Sequence, residues 1–269
     1  MTAQTLAEMR RLLARHGLSP RVSLGQHFLA DPNVTRRVVS VAGIKKADQV
    51  LEVGAGTGTL TRALVEAGAE VLAIEVDERL RPVLDETLEG LPVRLVFADA
   101  ARVDYADLLG SGSWRVVANL PYQIGTQLVL DWLRLVPQIT DLTVMVQLEV
   151  AQRLAATSGS DAYGLPSVVA ALYGSVRIAF RVPPHVFFPP PRVESAVVRV
   201  IRKEPPASAL HAIELAAAGF GQRRKMLRRA LGVVVDNPEV ILKAAGIDPT
   251  ERAENLSPED FVRLAEART

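Results

Sequence analysis

The period of the apolar positions changes repeatedly along the first two hundred residues, and each change marks an element. Leu6, Met9, Leu12 and Leu13 recur at helical spacing, and Gly17 stands where such a helix closes. Asp31-Pro32 is a side-chain cap followed by proline at the first helical position, opening a second helix through Val34, Val38 and Val39 to Gly43. Residues 18–29, between the two, have no clear period. From Gln49 short apolar runs alternate with helical ones, and strands are predicted near 50–53, 70–75, 93–97, 114–118 and 142–147, each followed by a helical stretch. That alternation predicts an α/β fold with a mostly parallel, doubly wound sheet whose ligand sits outside the carboxyl ends of the strands.

After a helix over 165–173 the order changes. Residues 176–180 and 195–200 are strand-like, and the proline-rich segment joining them is too short for a crossover helix, so an antiparallel pair is expected at the end of the sheet. Lys203-Glu204-Pro205-Pro206 reads as a linker. Residues 207–269 carry helical signals only, with caps at Asp248-Pro249 and Ser257-Pro258-Glu259. The expected division is one domain over 1–204, with an N-terminal basic extension over 1–35, and a small helical domain over 205–269.

Composition narrows the chemistry. With 49% hydrophobic residues among 269, the chain can bury a large core. The absence of cysteine removes disulfides, thiolate metal sites and cysteine nucleophiles together. The four histidines (16, 27, 185, 211) are scattered and form no metal-ligand spacing with carboxylates, so no metal is expected. Met1 to Met9 show no signal peptide, and no run approaches the roughly 20 apolar residues of a membrane span. A soluble, cytoplasmic, monomeric protein is the expectation.

Net charge is +1, but the cations are unevenly placed. Six arginines (10, 11, 15, 21, 36, 37) fall in residues 1–37 against Glu8 and Asp31. Arg223, Arg224 and Lys225 form a second knot, which Arg228 and Arg229 continue at helical spacing, with Met226, Leu227 and Leu231 available to face inward. Such a knot is either a solvated face or a grip on nucleic-acid phosphates. The preference for arginine over lysine suits forked phosphate contacts, although genome composition or thermal adaptation gives the same bias.

The most informative stretch is Gln49 to Gly58. An apolar run ends in three glycines at every second position, and Thr59 to Val65 then continues at helical spacing. Strand, glycine turn and helix let a ligand approach the main chain beside free helix N–H groups. The spacing is G-x-G-x-G rather than the G-x-G-x-x-G that cradles a dinucleotide. Glu52 precedes it, and Glu75 ends the next apolar run, where a carboxylate can accept both hydroxyls of a ribose. Together these resemble the S-adenosylmethionine site of Rossmann-like class I methyltransferases; a tight βα turn without a ligand is the competing reading.

Asp99, past the third strand, can accept a hydrogen bond from an adenine amino group or cap a helix. Asn119-Leu120-Pro121-Tyr122 ends the fourth strand. An exocyclic purine amine is a poor nucleophile because its lone pair is delocalised into the ring, so a site that methylates it needs two acceptors for its two N–H bonds. The Asn119 side-chain oxygen and the Leu120 carbonyl, turned inward by Pro121, supply them, and Tyr122 offers a stacking face for a flipped base. A plain β-turn has the same composition. Phe187 and Phe188 lie among stiffening prolines, where one can hold a base and the other pack beneath the loop.

Read in order, Gly25-Gln26-His27-Phe28-Leu29, Glu52 to Gly58, Ile74 to Asp77, Asp99-Ala100 and Asn119 to Tyr122 resemble the motifs of the ribosomal RNA adenine dimethylases. So do Phe187 to Ser195 and Phe220 to Lys225, and these two resemble the small-subunit branch more than the macrolide-resistance one. The resemblance implies an S-adenosylmethionine-dependent enzyme that places four methyl groups on the N6 atoms of two adjacent adenosines in a 16S rRNA hairpin loop. It sets His27, Leu29, Gly54, Glu75, Asp99 and Asn119 on the cofactor, with Asn119 also at the target amine, and selects Phe187 as the base-stacking ring. The family commonly has asparagine where His27 stands, so contact there is expected through the backbone. The alternatives are a large-subunit adenine N6-methyltransferase and a ribosome-assembly RNA-binding factor with vestigial catalysis. Intact Glu75, Asp99 and Asn119 argue against the latter, and the glycine spacing argues against a hydride-transferring dinucleotide enzyme.

Overall fold

The computed structural model describes residues 4–268; the first three residues of the expected N-terminal extension and Thr269 lie outside them. Seven strands form the main sheet: Gln49–Val53 (β1), Glu70–Glu75 (β2), Val93–Phe97 (β3), Trp114–Asn119 (β4), Ile139–Gln147 (β5), Gly174–Val182 (β6) and Ser195–Arg202 (β7). Their order is β3-β2-β1-β4-β5-β7-β6. The first five pair in parallel, and β7 runs antiparallel to β5, from Asp141 opposite Ile201 to Gln147 opposite Ser195. This is the mostly parallel α/β fold predicted from the alternation.

The reason is visible in β1, where Val50 to Val53 are all buried. A parallel strand is covered by helices on both faces and therefore reads as a continuous apolar run. Fully buried Leu51, Leu64 and Leu72 each contribute about 1.5–3 kcal/mol of burial. The chain order reverses between β1 and β4, so the strand ends on either side of that point open onto a crevice.

Both N-terminal helices form as the sequence predicts. Leu6–Arg15 turns Met9, Leu12 and Leu13 inward. Pro32–Ala42 is capped by the Asp31 carboxylate, which accepts from the amides of Asn33 and Val34. The stretch without a period does contain structure. Phe28 and Leu29 pair antiparallel with Phe188 and Phe187, a ribbon that joins two segments 160 residues apart and that no local pattern specifies.

The basic extension is more engaged than charge counting implied. Arg10 lies over the Phe188 ring and Arg37 over Phe180, Arg15 pairs with Glu86, and Arg36 bonds Asn33.

Two compact units divide the chain: 1–151 with 177–201, and 152–176 with 202–269. The division differs from the expected boundary at 204, because helix Leu165–Tyr173 belongs to the second unit. That helix is apolar nearly all round and buries Val168, Val169, Ala170, Leu172 and Tyr173, so it needs cover that a sheet edge alone does not give. Helices Ala209–Gly221 and Pro258–Glu266 complete this unit's core, where Phe220 sits 5.6 Å from Tyr163 and 6.1 Å from Phe261 between ring centroids. Gly219 is glycine because a Cβ there would meet the Ala253 Cβ at 2.8 Å.

Two details of the C-terminal reading change. Asp248-Pro249 opens no helix: the Asp248 carboxylate closes a turn by accepting from the Thr250 amide and hydroxyl. The Pro249 and Glu251 carbonyls instead accept the amides of Arg228 and Leu227, which begin a short helix elsewhere in the same unit. The basic knot is not one helix either, since Gln222 to Lys225 form a turn and only Leu227–Ala230 is helical. Leu227 and Leu231 face inward as expected, but Met226 is 41% exposed. Among the described residues no helix is long and apolar enough to cross a membrane.

Candidate active site

A cavity opens at the carboxyl ends of β1, β2, β3 and β4, and its wall includes Gly25 to Phe28, Gly54, Gly56, Glu75, Val76, Asp99 and Asn119 to Ile124. The parallel register brings them together: Val53 lies opposite Ile74, Glu75 opposite Phe97 and Asn119 opposite Met145, so residues far apart in sequence end on one edge. The whole cavity lies within the first unit.

The glycine turn is built around Glu75. Gly56 adopts φ +58°, a Cβ there would meet the Phe28 ring at 2.9 Å, and its amide donates to Glu75 Oε2 at 2.8 Å. The Val76 and Asp77 amides donate to Oε1, both at 2.9 Å. Burial pushes the Glu75 carboxyl up, against these three donors, which favour the anion. Oε1 already takes two N–H groups and Oε2 takes one, so the spare acceptor capacity of the carboxylate is on Oε2. Glu52, beneath the turn, is 1% exposed, and Oε2 has no partner among the described residues. Burial, helped by the charge of Glu75, pushes its carboxyl up to about 8, which favours the neutral acid.

Asp99 caps no helix, since the next one is capped by Asp104, and it lies in a turn at the cavity wall. Oδ1 accepts the Ala101 amide at 3.0 Å and closes the turn after β3, while the half-exposed side chain lines the cavity.

The Asn119 amide nitrogen donates to the His27 carbonyl at 2.9 Å. A carbonyl only accepts, so this bond fixes which end of the amide is nitrogen and leaves Oδ1 as a free acceptor at the cavity wall. The Leu120 amide donates to the Met145 carbonyl, while no hydrogen bond among the described residues ends on the Leu120 carbonyl. Two acceptors on consecutive residues thus remain unclaimed. The Tyr122 ring stacks against the His27 ring, with centroids 5.5 Å apart and planes inclined at 25°. His27 Nδ1 is 2.7 Å from the Pro189 carbonyl. The His27 backbone is thus engaged with Asn119, and its ring adds a second aromatic surface to the wall.

Two expected residues do not face this cavity. Leu29 is 5% exposed and borders a small adjoining hollow beside Gly54 and Asn119. Phe187 is 2% exposed and packs in the core with Phe28, Val182 and Val186. Successive strand residues point to opposite sides, so in the ribbon Phe187 turns inward and Phe188 stays partly open beneath Arg10. The aromatic side chains on the cavity wall are those of His27, Phe28 and Tyr122, and Phe187 is not among them.

The sequence reading missed Gln26, whose side chain accepts the Arg21 amide and donates to Asp77, tying the N-terminal segment to the residues after Glu75. It also missed Val76, 49% exposed at the rim, although its place directly after Glu75 was a signal. In the basic knot, Arg223 bonds Glu254 at 3.1 Å and the carbonyls of Asp161 and Tyr163, and Arg228 lies 3.6 Å from Glu239. Arg224 and Lys225 are exposed and make no such contact.

Comparison with known proteins agrees with this geometry. Residues 17–269 match the family model described as ribosomal RNA adenine dimethylase. A protein of Phenylobacterium zucineum named ribosomal RNA small subunit methyltransferase A is 44% identical over 99% of this chain and 94% of its own length. Its namesake from a Chelativorans species is 47% identical over 98% and 99%. Among solved structures, a dimethyladenosine transferase from Plasmodium falciparum superposes with a TM-score of 0.76 at 25% identity, covering 88% of this chain and 96% of that one. The 23S rRNA methyltransferase ErmE gives 0.71 at 26% identity, covering 90% and 99%. With the family model spanning all but the first residues and relatives matching along their full length, the chain belongs to the ribosomal RNA adenine dimethylase family.

Proposed function

We propose that this protein dimethylates N6 of two adjacent adenosines in a hairpin loop of 16S rRNA during small-subunit biogenesis, as a cytoplasmic monomer using S-adenosylmethionine. Relatives at 44–47% identity carry the small-subunit name, whereas the large-subunit enzyme is at 26%. The observation that carries the chemistry is the Asn119–His27 bond, because it commits Asn119 Oδ1 to accepting. With the Leu120 carbonyl it accepts a hydrogen bond from each N–H of the exocyclic amine and lets that nitrogen become tetrahedral. No strong base is required of the chain. Retained acceptors at both positions disfavour a binding factor with vestigial catalysis.

The cofactor fits this cavity: the turn at Gly56 leaves no room for a Cβ, Glu75 Oε2 keeps acceptor capacity for a ribose hydroxyl, Asp99 offers a carboxylate at the wall for an adenine amino group, and Val76 offers an apolar rim. When bound, S-adenosylmethionine supplies an electrophilic methyl group on a sulfonium. The chain's part is to hold the amine in line with it, which lowers the barrier by fixing orientation in advance.

Asp99→Ala is expected to weaken S-adenosylmethionine binding about tenfold through the loss of one charge-assisted bond, with only a small fall in melting temperature from the lost turn contact to the Ala101 amide. Glu75→Ala should lower both affinity and melting temperature, because three backbone amides lose their acceptor. Calorimetry and thermal melts separate the two; unchanged affinity in both variants would place the cofactor elsewhere.

Arg224, Lys225 and Arg229 are exposed and have no acidic partner among the described residues, which leaves them free to meet rRNA phosphates. Arg223 and Arg228 divide their charge between that role and their acidic partners in the second unit. Reversing Arg224 and Lys225 to glutamate should weaken subunit binding and flatten its salt dependence by about one unit of slope per lost phosphate contact, at unchanged cofactor affinity. A wild-type salt slope would make them a solvated face. The function itself is tested by incubating the protein with labelled S-adenosylmethionine and immature small or large subunits and mapping the methylated adenosines. Label confined to large subunits would overturn the reading.

A further inference from the structure

Two groups of the proline-rich segment hold the cavity wall from behind. The Ser195 hydroxyl, fully buried at the start of β7, lies 2.6 Å from the Tyr122 hydroxyl. The Pro189 carbonyl meets His27 Nδ1 at 2.7 Å. The rings held this way are the two that stack on each other and line the cavity, whereas Pro189 and Ser195 do not line it. Tyr122 follows Pro121 on a turn rather than on a strand or helix, so secondary structure does little to fix its ring. Its far end is the only polar handle it has.

We propose that Ser195 is a positioning residue for methyl transfer: through its bond to the Tyr122 hydroxyl it sets the tilt of the ring on which the target adenine stacks. The proposal rests on the reading of this cavity as an adenine N6-methyltransferase site. Rotation of an unanchored ring shifts its edge by about an ångström, and misplacement of that size costs up to about a hundredfold in rate. The geometry also gives the end of the Phe187-to-Ser195 motif a partner: the fully buried Ser195 hydroxyl needs a hydrogen bond, and the Tyr122 hydroxyl is the group it meets. Burial pushes the Tyr122 phenol up, so it keeps its proton and the bond stays neutral over the working pH range.

The test is a double-mutant cycle read in single-turnover methyl transfer to immature small subunits at saturating S-adenosylmethionine. Tyr122→Phe and Ser195→Ala remove the same bond from opposite ends while the stacking ring is kept. Each is expected to slow transfer about tenfold, and the double variant no further than the worse single one. Cofactor affinity, measured by calorimetry without RNA, should not change. Ser195→Thr keeps the hydroxyl and should recover most of the rate. If Ser195→Ala fails to fold, Tyr122→Phe alone decides, because its ring and fold are preserved. Folded variants that transfer at the wild-type rate would show the bond to be structural only. Effects that multiply in the double variant would show the two residues acting separately, and either result overturns the proposal. A wild-type protein that leaves small subunits unmethylated overturns the site reading first; a wild type that methylates while the variants match it overturns this proposal alone.

Discussion

Asn119→Ala is expected to lower the single-turnover rate of methyl transfer on the order of a hundredfold, the usual cost of deleting a preorganised polar contact at the reacting centre. Binding of small subunits should stay near wild type, since phosphate contacts elsewhere position the RNA. The preorganisation is explicit in the structure: the His27 carbonyl holds the amide nitrogen, so Oδ1 needs no reorientation when the amine arrives. Asn119→Asp is an informative companion. Its carboxylate keeps an acceptor but sets a second oxygen against the His27 carbonyl, so the side chain loses its anchor and the rate should fall although acceptance is retained. Near-normal single-turnover rates in Asn119→Ala would refute activation by paired acceptors.

Phe187→Ala is expected to act mainly on stability. The ring is 2% exposed within the core formed with Phe28, Leu29, Val182 and Val186. Truncating such a phenylalanine costs about 3–5 kcal/mol, which for a chain of this size lowers the melting temperature on the order of 10 °C. Phe187→Leu, which keeps most of the buried volume, should restore most of the stability and, at a temperature where it is folded, most of the activity. The resemblance to the family gave this position a stacking role. An alanine variant that melts like wild type yet fails to methylate would return that role to it.

The placement of Phe187 shows where reading by pattern stops. Both phenylalanines were legible as one packing and one presented residue, because a stiff proline segment with two adjacent aromatics has only those options. Which is which depends on the pairing of Phe28 and Leu29 with Phe188 and Phe187, and that pairing spans 160 residues. The basic knot shows the same limit. Five cations in seven residues were visible, but not that Arg223 would meet Glu254 and two carbonyls brought beside it by the packing of the second unit. Helix Leu165–Tyr173 read as a helix from its own residues, whereas the unit it belongs to depends on what covers its apolar faces.

By itself the sequence determined the alternation of strands and helices, the glycine turn, and the residue types at the four strand ends, because period, capping and glycine spacing are local properties of the chain. It therefore determined the fold class and the identity of Gly54, Glu75, Asp99 and Asn119 as the residues facing the crevice. Only the tertiary structure decided how each is occupied. The Glu75 carboxylate holds three amides of its own chain, Asn119 is turned by the His27 carbonyl, and Tyr122 is anchored by Ser195 from two strands away. These bonds join residues up to 92 positions apart. A hydrogen bond is a matter of two or three ångströms and an angle, so it is set by how packed elements meet, and no local pattern in the chain encodes that meeting.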